Sequence, residues 1–133
     1  MDDNKKYVLD AKVERTIKAL AKNRMAAVYA PTKEAAVQAV KDLLQEGDTI
    51  SCGGSVTLAE SGVRDLMKSG AYRFLDREEE DPQEVYRKTF SADVFLMSAN
   101  AITEDGELYN VDGNGNRVAA LIFGPRRVIV VAG

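Results

Sequence analysis

The sequence has no histidine and a single cysteine, Cys52. The first absence excludes histidine-based triads and histidine-ligated metals, leaving carboxylates, Cys52, lysine and tyrosine for proton transfer or nucleophilic attack. The second excludes an internal disulfide and any cysteine-rich metal or iron–sulfur site built from this chain alone. No run approaches the ~20 apolar residues of a membrane span. The opening residues, MDDNKKYVLDAKVERTIKAL, carry charges throughout where a signal peptide would have an apolar core, so a cytoplasmic protein is expected. There is also no excess of one charge: 18 Lys and Arg against 21 Asp and Glu give a net charge of -3. That balance offers no general attraction to nucleic acid or to an anionic membrane.

What is present suffices for a folded domain. With 133 residues, 45% of them hydrophobic, the chain reads as one domain over 1–133 that buries roughly two thirds of its unfolded surface. Leu9, Val13, Ile17 and Leu20 recur at helical spacing, and Asn23 can close that helix. Residues 25–30 read as a short strand, with Pro31 and Thr32 opening a second helix whose apolar stripe is Ala36, Val40, Leu43 and Leu44. Gly47-Asp48 precedes a strand over Thr49–Cys52. Next comes CGGSVTLAESG, with Ser55 or Thr57 as a helix cap and Thr57 to Glu60 in the spacing of a capping box. Residues 72–75 form a short strand, and DREEED (76–81) reads as a solvated loop in preference to a metal site. A helix over 83–90 leads to the apolar strand Val94–Met97. A last helix over 116–123 is broken by Gly124-Pro125 before a β-branched strand over 128–132. Strands alternating with helices predict a three-layer α/β/α, Rossmann-like fold in which 25–30, Thr49–Cys52, Val94–Met97 and 128–132 lie parallel in one sheet.

Two stretches carry the functional signal. The strand, glycine turn and helix start at Gly53, Gly54, Ser55 and Thr57 could cradle an anion with backbone N–H groups, or simply make a tight βα turn. Between the apolar runs 94–97 and 118–123 lies a polar segment with Asn100, Glu104, Asp105, Asn110, Asp112, Asn114, Asn116 and Arg117. If the two strands are neighbours, both stretches emerge at one carboxyl edge, the usual ligand site of open α/β sheets. DGNGN resembles the start of a calcium loop, but Arg117 and Phe123 occupy positions that such a loop gives to glycine and glutamate, so no metal site is expected. Arg117 could hold a carboxylate or phosphate with its planar fork, or pair with Asp112. Candidates for chemistry are Cys52, which a helix N-terminus could activate or the core could merely pack, together with Glu104 and Asp112.

SCGGSVTLAESG, together with ADVFLMSANAITEDGELYNVDGNGNRVAALIFGPRRVIVVAG, resembles the LUD domain family, the lactate-utilization proteins that include LutC-like members. The resemblance implies the fold of the ribose-phosphate isomerase, glucosamine-phosphate deaminase and CoA-transferase superfamily. It also implies a role in oxidising L-lactate to pyruvate alongside iron–sulfur partner proteins, any cluster residing in a partner. Longer relatives carry a C-terminal extension that this chain is expected to lack. Methylthioribose-phosphate isomerases are similar around both motifs and use a catalytic Cys and Asp. The matching positions here are Cys52 and Asn100, and asparagine cannot serve as a general base. The expected ligand is a small anionic metabolite. The alternatives are an independent isomerase- or transferase-like enzyme acting on a sugar phosphate or acyl donor, and a ligand sensor or scaffold without catalysis. Because the sequence ends just after strand 128–132, self-association into a homo-oligomer is expected.

Overall fold

The structure, a computed structural model, describes residues 2–133. In chain order its elements are α1 (Asp3–Lys22), α2 (Lys33–Leu43), β1 (Thr49–Cys52), α3 (Val56–Glu60), α4 (Val63–Met67), β2 (Arg73–Phe74), α5 (Pro82–Thr89), β3 (Val94–Met97), β4 (Ala101–Ile102), β5 (Leu108–Tyr109), α6 (Asn116–Ile122) and β6 (Arg127–Val130). They fall into two compact units, residues 30–98 with 111–133, and residues 2–29 with 99–110.

The larger unit is built on a four-stranded sheet in the order β2-β1-β3-β6, with every pairing parallel. Successive side chains of a strand point to opposite faces, and this period of two divides the core. Ile50, Val94 and Leu96 pack on one side with Val40, Leu58, Val63 and Met67, which come from α2, α3 and α4. Phe95 and Met97 pack on the other with Ala120 of α6. Val85 of α5 packs with Leu75 and Ala92. Helices on both faces explain why all four residues of β3 are buried, and why its sequence, VFLM, is apolar without alternation. On the second face the Ser51 and Thr89 hydroxyls meet at 2.6 Å, fully buried, and tie α5 to β1. The unit is the expected α/β fold with a parallel sheet.

Residues 25–30 are not a strand; the fourth strand of the sheet is β2, at the position expected for 72–75. Val28 and Tyr29 are 78% and 50% exposed, so the segment does not bury its apolar residues as an inner strand would. Its start is instead occupied in ending α1. Arg24 takes a left-handed φ of 65°, its N–H reaches the Ala21 carbonyl and the Met25 N–H reaches Leu20. This is the double bond pattern of a Schellman C-cap, with arginine where glycine is usual. The capping-box reading of Thr57 and Glu60 also fails, because the helix begins earlier. Ser55 is the N-cap, its hydroxyl accepting from Leu58 N at 3.2 Å.

In the smaller unit, α1 accompanies the antiparallel hairpin β4-β5, in which Ala101 faces Tyr109 and Ile102 faces Leu108. The hairpin turn is closed by Thr103 N donating to Glu107 O and Gly106 N donating to Thr103 O. Asn23 Nδ2 donates to Gly106 O at 2.8 Å, fixing the turn to the end of α1. Gly106 has a φ of +84°, and a Cβ there would lie 2.5 Å from the Ala19 carbonyl carbon. Only glycine permits that approach.

Candidate functional site

β1 and β3 end side by side, and Gly53 N donates to Leu96 O at 3.3 Å, extending their ladder by one residue before the chain turns. The glycine turn thus leaves from the carboxyl edge of the sheet. Each glycine there faces an arginine. A Cβ on Gly53 would stand 3.3 Å from both Cγ and Cδ of Arg117, and one on Gly54 would stand 2.5 Å from Nη2 of Arg77. Ser55 caps α3, and Thr57 lies half-buried within it. With five residues, α3 aligns too few peptide dipoles to hold an anion by itself, so charge at this edge must come from side chains.

The second motif reaches the same edge. Arg117 sits in the first turn of α6, its stem against Gly53, and its Nε donates to Asp112 Oδ1 at 2.8 Å. Its Nη1 donates to Ser98 O at 3.0 Å and its Nη2 to Val111 O at 3.2 Å. Asp112 Oδ2 accepts from Val118 N at 2.6 Å. The Arg117 fork is therefore engaged by its own chain, and the pairing with Asp112 is the realised one of the two readings. Gly115, at a φ of +74°, precedes α6; Asn114 is exposed, and Asn116, the first residue of α6, is half-buried.

Asn100, Glu104 and Asn110 belong to the smaller unit. Asn100 is exposed at the start of the hairpin. Glu104 pairs with Arg15 at 3.2 Å across exposed surface. Asn110 Oδ1 is buried and has no hydrogen-bond partner among the described residues.

Cys52 points into the face covered by α3 and α4, where Arg64 Nη1 lies 3.9 Å from its Sγ. Burial pushes the thiol above its ordinary range. Arg64 and Arg77 oppose the shift, and Asp76 adds to it. Desolvation wins, so Cys52 remains a protonated thiol at neutral pH and is not the activated nucleophile that a helix N-terminus would produce. Arg64 itself bonds to Asp76 at 3.7 Å and Glu78 at 3.2 Å and stacks over Phe74 at 5.9 Å.

Sequence reasoning misses Arg64, Arg77 and Tyr86. Arg77 stands inside DREEED and looks solvated, but that run follows β2, which pairs with β1. Its first residues consequently emerge beside the glycine turn, and Asp76 is buried. The only signal in the sequence is that the run directly follows a strand.

Among the described residues, no three carboxylate or thiol groups are placed to hold a metal ion, and no helix is long and apolar enough to cross a membrane. Comparison with curated proteins and with solved structures gives no match. The family model described as the LUD domain matches residues 13–133, which takes in all of the sheet, both edge motifs and the second half of α1. The chain belongs to the LUD domain family.

Proposed function

We propose that this chain supports L-lactate utilization, the oxidation of L-lactate to pyruvate, by binding a small anionic metabolite at the carboxyl edge of β1 and β3 and acting together with iron–sulfur partner proteins. Membership of the LUD domain family supports the metabolic role. One observation supports the location: the stem of Arg117 lies against Gly53, so two motifs some sixty residues apart in the sequence converge where open α/β sheets bind ligands. Gly53, Gly54, Ser55 and Thr57 supply the floor of the proposed site, and the loop from Asp112 through Asn114 and Asn116 to Arg117 supplies its wall. Asn100, Glu104 and Asn110, also expected from the sequence as ligand residues, belong to the smaller unit and are not part of this proposal. Electron transfer is assigned to the partners, because one cysteine cannot hold a cluster. The protonated Cys52 argues against an isomerase-like role that would need it as a thiolate.

Disrupting the gene in its native cell is expected to abolish growth on L-lactate while leaving growth on glucose intact. Undiminished growth on L-lactate would rule the metabolic role out.

A further inference from the structure

Charges around the glycine turn do not cancel. Arg64 and Lys68 face Asp76 and Glu78 at 3.2 to 3.9 Å, two cations against two carboxylates. Arg77, at the same edge, has no carboxylate within ion-pair distance among the described residues, although it is half-buried. Its Nη1 is 3.4 Å from the Tyr86 hydroxyl, which can accept from it, and its Nη2 is held over Gly54. Tyr86 is itself fixed. It stands on α5, which Val85 buries against Leu75 and Ala92 and which the Thr89 hydroxyl ties to Ser51 of β1. A guanidinium oriented by a tyrosine and left without a counter-ion, above a glycine that leaves room for it, is a receptor for one negative charge.

We propose that Arg77 is the residue that binds the carboxylate of a small monocarboxylic acid, that Tyr86 positions its guanidinium, and that Gly54 lacks a side chain because a Cβ would displace that guanidinium. The assignment rests on the edge of β1 and β3 being the binding site. A guanidinium matches a planar carboxylate in bidentate geometry. One uncompensated positive charge suits a monoanion, whereas a phosphate dianion would remain half neutralised. Gly54 is exposed and its φ lies outside the left-handed region. Alanine there strains no backbone and costs only a movement of the arginine tip, which separates binding from folding.

The test is a titration of the full-length, ¹⁵N-labelled chain with sodium pyruvate and, separately, inorganic phosphate at constant ionic strength. It follows the Gly53 and Gly54 amides and the Arg77 Nε–H, and is repeated on four variants. Pyruvate is expected to shift those three signals saturably in the wild type. Arg77→Ala and Gly54→Ala should each raise the dissociation constant about tenfold or more, the range for losing a charge-assisted hydrogen bond. Arg77→Lys should recover part of the loss, and Tyr86→Phe should weaken binding about threefold. Melting temperatures should stay at the wild-type value in Gly54→Ala and Tyr86→Phe, so that a loss of binding there is not a loss of fold. If the glycine amides respond in the wild type but Arg77→Ala and Gly54→Ala bind pyruvate equally well, the role of Arg77 is refuted and the edge remains the site. If neither glycine amide responds to either anion, both fall. Tighter binding of phosphate than of pyruvate overturns the monocarboxylate assignment.

Discussion

Arg117 and Asp112 form a largely buried ion pair: Nε to Oδ1 is 2.8 Å, with the two side chains 14% and 10% exposed. An arginine whose fork suits an external anion is thus used to fold its own loop, tying 111–112, Ser98 and the start of α6 together. Removing one partner of such a pair leaves the other charged and desolvated. Arg117→Ala is expected to cost about 3 to 5 kcal/mol of stability, read by urea denaturation. A loss under about 1 kcal/mol, typical of an exposed pair, would mean that the pair is not buried in solution.

Gly106 allows the hairpin turn to sit on the end of α1. Gly106→Ala places a Cβ 2.5 Å from the Ala19 carbonyl carbon at a φ of +84°, where neither backbone can give way cheaply. We expect destabilisation of about 2 kcal/mol or more, combining overpacking with left-handed strain. Amide hydrogen exchange should accelerate across residues 101–109 while β1 and β3 keep their protection. Unchanged exchange in the hairpin would contradict the contact.

Burial raises the Cys52 pKa, so the folded protein keeps the thiol proton to a higher pH than the unfolded chain does. The unfolded state therefore binds fewer protons once pH passes about 8.5, the ordinary thiol value, and stability falls with further rise. Below that pH the contribution is intact. The wild type should lose stability relative to Cys52→Ala between pH 8.5 and 10, and its alkylation by iodoacetamide at pH 7.5 should be slower than that of free cysteine. Alkylation faster than free cysteine would show an activated thiolate and reopen a catalytic role.

The central sheet is legible in the sequence because β1 and β3 are short apolar runs bounded by turn residues, and because helices with clear stripes separate them. Their adjacency stands in the sequence only as a condition; the pairing of β1 with β3 supplies it, and with it the shared exit of Gly53 and the loop before α6. Residues 25–30 mislead because VYA carries β propensity, while Arg24 makes a helix cap that normally announces itself with glycine. The charged half of the proposed site is illegible for a topological reason. β2 contributes only Arg73 and Phe74 to the sheet, and nothing in so brief a strand says that it will lie beside β1. Without that pairing, Arg77 is one cation in an acidic run. Arg117 shows the opposite limit: its spacing from Asp112 is visible, but only packing decides whether its fork turns inward or out.

The central claim is that the carboxyl edge of β1 and β3 takes a small monocarboxylate, and isothermal titration of the purified chain tests it most directly. L-lactate, pyruvate, a sugar phosphate and a CoA ester would be titrated separately under identical conditions. We expect L-lactate or pyruvate to bind saturably at one site per chain, with the sugar phosphate and the CoA ester giving only heats of dilution. Saturable binding of the sugar phosphate or the CoA ester, with none for either monocarboxylate, would contradict the account.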